Sequence, residues 1–161
     1  MVTAARIRLS CSIRLVEASD IPGIHAVERA CFPDPYPSIL LDDLMKTYQA
    51  QFFVAVDSGE IIGYAVASIS GKDGHVISLA VKPHHRRKRV GTTLMSALEA
   101  KLSQEGAEEI HLEVRRGNAG AISFYERWGY RLVSEIRRYY PDGEDALVFE
   151  RPMESSAYRD P

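Results

Sequence analysis

Cysteine is nearly missing from the sequence: Cys11 and Cys31 are the two among 161 residues. Neither stands in a metal-type spacing, so the pattern excludes a disulfide framework and points to no metal. Long apolar runs are missing, and no stretch reaches the length of a membrane span. The amino-terminal residues carry Arg6 and Arg8 without a long apolar core, which does not read as a secretory signal. An excess of positive charge is missing too. A formal net charge of -2 and a pI near 6.2 argue against a chain whose main task is coating nucleic acid. Absent as well are internal repeats, low-complexity tracts and both common nucleotide fingerprints, G-x-G-x-x-G and G-x-x-x-x-G-K-[ST]. These absences leave a soluble chain, expected in the cytoplasm, that is long enough for one buried core and too short for two ordinary domains.

The periodicity that is present alternates strand with helix. "SIRLVEA" alternates apolar and polar positions as a strand, and "SDIPGIHAVERACF" places Ile21, Ile24, Val27 and Ala30 at helical spacing. Ser19 is the expected cap of that helix, and Pro22 falls in its first turn, where a missing N–H costs little. Prolines at 33, 35 and 37 bias Phe32, Asp34 and Tyr36 toward extended backbone, which makes "FPDPYP" a stiff loop. A short helix over "SILLDDLMKTY" follows, then a hairpin of "QFFVAVD" and "IIGYAVASIS" around "SGE", a turn at "KDG", and a strand "HVISLAV" ended by Pro83. The next helix reaches about Gln104 and stops at Gly106. Strand "EIHLEV", loop "RRGN", helix "AGAISFYERW" stopped by Gly129, and strands "YRLVSEIRRYY" and "DALVFERPM" around "PDGE" complete the chain. This order predicts an α/β fold with a partly antiparallel sheet and helices on both faces. The tail "ESSAYRDP" is expected to fray.

One more thing is missing, and it is local. The amino end of a helix carries roughly half a positive charge and favours acids, yet the segment entering the third helix is "HHRRKRVGTTLM", with Arg86, Arg87, Lys88 and Arg89 in a row. A strand, a short basic loop and a helix bring unpaired first-turn N–H groups to one spot that suits a phosphate. Gly91 allows close approach of a ligand, and Thr92 and Thr93 can donate hydroxyl hydrogen bonds. On composition alone, a solvated basic turn accounts for the same residues equally well.

The segment "HHRRKRVGTTLM" resembles the pyrophosphate loop of the GNAT acyltransferases, [QR]-x-x-G-x-[GA], with Arg86 first, Gly91 last and Arg89 where the first glycine of the pattern belongs. "NAGAISFYERWGY" is similar to the N-x-x-A-x-x-x-Y-x-x-x-G-[FY] element of the same family through Asn118, Ala121, Tyr125, Gly129 and Tyr130. "FPDPYP" and "YYPDGEDA" resemble the archaeal and NatA-type catalytic subunits that acetylate protein amino termini. The likeness covers roughly residues 12–153 of a single domain spanning 1–161. It implies the GNAT fold, a mixed and mostly antiparallel central sheet with a splayed central strand pair, and acetyl-CoA as cosubstrate without a metal. The cofactor would be held by Leu79, Ala80 and Val81, by Arg86, Arg87, Lys88, Arg89, Val90, Gly91 and Thr92, and by Asn118 and Tyr125. Arg89 is tolerated in the glycine position if its φ is negative.

The implied reaction is aminolysis of a thioester, which needs a neutral amine. An α-amine with a pKa of about 7.7–8.0 is roughly a tenth neutral at pH 7, and a lysine amine near 10.4 costs about 3.5 kcal/mol more to prepare. A weak base therefore suffices for amino termini. His75 and Glu113 hold the positions that the similar enzymes use for proton removal, with Asp34 as a further candidate. Tyr125 matches the place of the residue that protonates or hydrogen-bonds the departing thiolate. Phe32, Pro33, Asp34, Pro35 and Tyr36 form one expected wall of the peptide site, and Tyr139 and Tyr140 the other. Asp34 stands where related enzymes have Glu, one methylene longer. The plainer alternatives are a packed structural histidine at 75, a Glu113–Arg115 pair, an aromatic cluster of Tyr125 with Phe124 and Trp128, and a stiff connection at residues 32–36. His25, His84, His85 and His111 read as surface or packing residues.

The leading expectation is thus transfer of acetyl to polypeptide amino termini, with room for an auxiliary subunit or a ribosome contact. A lysine- or small-amine-acetylating GNAT enzyme is the second reading. The third is a noncatalytic module that binds CoA or nucleic acid.

Overall fold

A computed structural model describes residues 11–154. The frayed tail expected after Glu154 and the segment containing Arg6 and Arg8 lie outside the described residues. In chain order the elements are β1 (Cys11–Leu15), α1 (Ile21–Cys31), α2 (Ser38–Tyr48), β2 (Phe52–Asp57), β3 (Glu60–Ser70), β4 (Asp73–Val81), α3 (Val90–Gln104), β5 (Glu109–Arg115), α4 (Ala119–Arg127), β6 (Arg131–Ile136) and β7 (Ala146–Pro152). The strands form one mixed sheet of hydrogen-bonded order β1-β2-β3-β4-β5-β7-β6. The pairs β1–β2, β2–β3, β5–β7 and β6–β7 run antiparallel, and β4–β5 runs parallel. The α/β fold with a mixed, mostly antiparallel sheet expected from the sequence is therefore present. The β4–β5 ladder runs from Asp73↔Glu109 only to Val76↔Leu112, although β4 continues to Val81 and β5 to Arg115.

The described residues cluster into two compact units, 11–66 with 78–98 and 67–77 with 99–154. In the first unit α1 buries Ile21, Ile24, Val27 and Glu28. Ala30, expected on this stripe, is exposed, because a helical face passes through 21, 24, 27 and 28. Ser19 caps nothing. A 3-10 turn at Ala18–Asp20 precedes α1, and a reciprocal Glu17–Asp20 capping box closes that turn. Arg14 grips the Asp20 carboxylate with two bonds of 2.7 and 2.8 Å. The Arg14 hydrogen bond holds the Asp20 carboxyl below the usual range. The β2–β3 hairpin turns through Ser58 and Gly59, both at positive φ, as a two-residue hairpin requires. A Cβ on Gly63 would lie 2.8 Å from the Ala80 carbonyl oxygen, so only glycine allows β3 to pass β4 so closely there.

The second unit is built around β5, β7 and β6, with Leu102, Ile110, Leu112 and Phe149 buried. Glu99, 8% exposed, accepts hydrogen bonds from Trp128 Nε1 and Tyr130 Oη, both at 2.8 Å, and from Arg151 Nη1 at 3.1 Å. One buried carboxylate thus ties the end of α3 to the Trp-Gly-Tyr segment after α4. Gly106 and Gly129 stop their helices at φ 99° and 95°, as expected. β6 ends at Ile136, shorter than the strand predicted through Tyr140, since Arg138 takes φ 52° and its N–H donates to Asp145.

Candidate functional site

In the first unit, the basic turn between β4 and α3 presents Arg86, Arg87, Lys88 and Arg89 as exposed side chains, and the first turn of α3 contains no acid. Arg86 Nε donates to the Val81 carbonyl at 2.9 Å, which fastens the turn to the end of β4. Among the described residues no carboxylate pairs with Arg87, Lys88 or Arg89. The backbone is left-handed at Arg87, φ 59°, and again at Arg89, φ 63°. The condition set for Arg89, a negative φ, is therefore not met: this arginine keeps a conformation that suits glycine and costs a side chain about 1–2 kcal/mol. Its carbonyl accepts from the Thr93 N–H at 3.0 Å and the Thr93 hydroxyl at 2.7 Å, so the turn passes directly into the helix. Alternating left-handed residues point successive N–H groups inward, a geometry that binds anions. The cation cluster, the open first turn of α3 and this backbone fit a diphosphate, the part of acetyl-CoA that such a turn would hold.

The stiff loop at residues 32–36 is held by a carboxylate that the sequence reading missed. Glu28, 1% exposed, accepts from the Tyr36 N–H at 2.8 Å and from the Tyr64 hydroxyl, which sits 2.8 Å from Ser78 Oγ. Burial pushes the Glu28 carboxyl above the usual range, against the lowering effect of these hydrogen bonds. Burial, followed by the Glu28 charge, holds the Tyr64 hydroxyl protonated. The signal lay in "VERACF", where a charged residue falls on the apolar stripe of α1. Asp34 and Pro33 are exposed on this loop, while Phe32, Pro35 and Tyr36 are half-buried. Next to it the Cys31 thiol donates to the Val81 carbonyl at 3.3 Å.

In the second unit, the half-buried face of β4 and β5 joins two of the expected residues. His75 Nε2 lies 2.7 Å from Glu113 Oε2. Burial alone would raise the Glu113 carboxyl, but the His75 hydrogen bond and the charges of His75 and His111 outweigh it and hold the group low. The ionised carboxylate is therefore the acceptor and His75 Nε2 the donor, an arrangement that in the neutral tautomer puts the imidazole lone pair at Nδ1. The plain alternative pairs Glu113 with Arg115. Arg115 instead donates to Asp142 and Glu144, each at 2.8 Å, and stacks 4.1 Å over the Tyr140 ring. His111, expected to be a surface or packing residue, is a correction: its ring stacks on His75 at 4.4 Å, and its Nδ1 is 3.0 Å from Asp73 Oδ1. The parallel register His75↔His111 brings the two imidazoles together. His85, likewise set aside, has Asp57 4.0 Å away in the first unit.

Tyr125 is 7% exposed and packs edge-on against Phe124 and Tyr130. Among the described residues its hydroxyl meets no hydrogen-bond partner. Burial pushes that hydroxyl well above the ordinary tyrosine range, so it keeps its proton at neutral pH. Tyr139 and Tyr140 meet edge to face at 5.0 Å on the β6–β7 connection. Burial, followed by the Glu113 charge, raises the Tyr139 hydroxyl. Asn118 caps α4 as expected, its Oδ1 accepting from the Ala121 N–H at 3.1 Å. Among the described residues, no helix is long and apolar enough to cross a membrane.

Comparison with known proteins adds to this geometry. Residues 21–130 match the model of the acetyltransferase (GNAT) family. A protein of Sulfurisphaera tokodaii named N-alpha-acetyltransferase is 36% identical over 154 residues, covering 88% of this chain and 92% of its own. The N-terminal acetyltransferase A complex catalytic subunit NAA10 of Arabidopsis thaliana is 34% identical, over 88% of this chain and 77% of its own. Among solved structures, Ard1 from Thermoplasma volcanium superposes with a TM-score of 0.86 at 27% identity, covering 89% of this chain and 98% of its own.

Proposed function

The chain belongs to the acetyltransferase (GNAT) family, and we propose that, within it, the chain transfers acetyl from acetyl-CoA to the free α-amine of polypeptide amino termini, its two compact units acting as one domain. The observation that carries this reading is the His75–Glu113 pair, an imidazole oriented by an ionised carboxylate. Such a base matches an α-amine, which needs little help to lose its proton, better than a lysine amine. The names of similar proteins support the same substrate.

Acetyl-CoA, when bound, supplies an acyl group already activated as a thioester. Arg86, Arg87, Lys88 and Arg89, with the N–H groups of Val90, Gly91 and Thr92, hold its diphosphate. Leu79, Ala80 and Val81 offer main-chain groups to the pantetheine arm where the β4–β5 ladder has ended, and Asn118 contributes from the start of α4. His75 Nδ1 takes the amine proton, directly or through water, and Glu113 stabilises the imidazolium that results. Tyr125 keeps its proton until the leaving sulfur needs it. Phe32, Pro33, Asp34, Tyr36, Tyr139 and Tyr140 receive the first residues of the peptide. Glu28 positions that loop through Tyr36, and the short Asp34 shifts which first residue fits.

Incubation with acetyl-CoA and two peptides tests the proposal by mass. A lysine-free peptide with a free amino terminus gains one acetyl group, and a lysine-containing peptide with a blocked terminus gains none. Labelling of the blocked peptide at a comparable rate would overturn the α-amine assignment in favour of a lysine-acetylating enzyme.

A further inference from the structure

The two halves of the His75–His111 stack come from strands 36 positions apart in sequence, and the parallel register turns them into one side-chain cluster with Glu113. His111 and Glu113 are two apart on β5 and share a face, while His75 comes from the adjoining position on β4. One ligand atom from each of the three lies within 4.8 Å of the others. A tetrahedral zinc ion with bonds of about 2.1 Å needs its ligands about 3.4 Å apart, and the two rings, now 6° from parallel, turn out of their stack so that both lone pairs meet one ion.

Several features of this cluster suit a metal. The ligand set of two imidazoles and one carboxylate is a common one for zinc and other first-row divalent ions. Asp73 accepts from His111 Nδ1 at 3.0 Å, so the lone pair of His111 stands on Nε2. A carboxylate behind a histidine in this way orients it as a ligand and increases its basicity. Further negative charge lies close by: Asp73, Glu109 and Glu150 line a groove shared with His111 and with the Lys72–Glu108 ion pair, and Glu150 is the register partner of His111 on β7. His75, His111 and Glu113 keep 30, 25 and 16% of their side chains exposed, which leaves a route for the ion and a place for a water ligand.

We infer that His75, His111 and Glu113 form a binding site for a divalent transition-metal ion, zinc above all, and that occupation of this site stops acetyl transfer. The ion takes the place of the proton that joins His75 to Glu113, and the imidazole proton moves to Nδ1. Both base groups are then ligands, and the lone pair that would accept the amine proton is gone. Binding stands on the geometry alone, whereas its effect on transfer rests on the proposed function.

The test is calorimetric titration of zinc into the tag-free full-length protein in a non-chelating buffer. One equivalent per chain is expected. His111→Gln is expected to weaken binding at least about tenfold, and Asp73→Asn about tenfold, as loss of an outer carboxylate does. Asp73 is exposed, so Asp73→Asn keeps the test valid should His111→Gln fold poorly. No binding, binding unchanged in both variants, or binding lost instead in Cys31→Ser would overturn the site. With one equivalent of zinc bound, transfer is expected to fall at least about tenfold and to recover on adding a chelator. Metal binding with transfer untouched would overturn the inhibitory role. Metal-free protein that transfers nothing while zinc still binds would refute the proposed function and leave the site standing.

Discussion

The basic turn before α3 and the His75–Glu113 face of β4 and β5 are opposite kinds of charged surface. Among the described residues, Arg87, Lys88 and Arg89 meet no counter-charge, and they sit on a backbone twice forced into the left-handed region. On the second surface the basic groups are paired: His75 with Glu113, His111 with Asp73, Arg115 with Asp142 and Glu144. Exposed cations on a backbone strained at two positions leave room for an anionic counterpart, the part that the proposed diphosphate would play. Paired groups are fixed in direction and protonation, which suits them to moving a proton.

The largest effect expected from breaking this contrast lies on the paired side. Glu113→Gln removes the charge that supports the imidazolium and lowers kcat about 10²-fold or more, with CoA affinity within about twofold of the parent. Steady-state kinetics beside a CoA titration checks it, and a loss in affinity matching the loss in kcat would break the division of labour. On the unpaired side, Arg87→Gly, Lys88→Ala and Arg89→Gly combined raise KM for acetyl-CoA at least about tenfold and leave kcat nearly unchanged, since charge-assisted hydrogen bonds are worth about 1.5–3 kcal/mol each.

A smaller effect concerns the buried carboxylate under the peptide loop. Glu28→Ala leaves the Tyr64 hydroxyl and Tyr36 N–H without their acceptor and costs about 1–3 kcal/mol in denaturant unfolding. The folded-state carboxyl of Glu28 is raised, so the native protein binds its proton more tightly than the unfolded chain does. The stability of the parent relative to Glu28→Gln is therefore greatest below pH about 4 and declines as pH rises through the raised value. A difference that grows over that range would contradict the burial argument. The smallest effect is Arg89→Gly alone, which relieves a left-handed side chain. It is expected to add about 0.5–1 kcal/mol of stability and to change KM for acetyl-CoA no more than a few-fold. Thermal unfolding that falls instead would show that the arginine stabilises its own strained turn.

Much of the fold was legible because its signals are local. α2 coincides with the predicted "SILLDDLMKTY", and the stops at Gly106 and Gly129 follow from positive φ. What escaped depends on distant partners. Ser19 had the right chemistry for a cap, but Arg14 and Asp20 close that entry. β6 looked longer because aromatic and apolar residues continue to Tyr140, while the carboxylates of Asp142, Glu144 and Asp145 fold the connection. His75 and Glu113 were found through family resemblance, not spacing. His111 was missed because its partner Asp73 lies 38 residues away and meets it through parallel pairing. Glu28 was readable as a charge on an apolar stripe, but its partners Tyr64 and Tyr36 were not.

The central claim is that the uncompensated cations before α3 are a cradle for a diphosphate. Calorimetric titration of the full-length protein with CoA at low and moderate ionic strength tests it most directly, run beside the Arg87→Gly, Lys88→Ala, Arg89→Gly combination. The parent is expected to bind one CoA per chain, more weakly at higher salt, and the combined variant to bind at least about tenfold more weakly with a flatter salt dependence. Equal affinity and equal salt dependence in the two proteins would contradict the account.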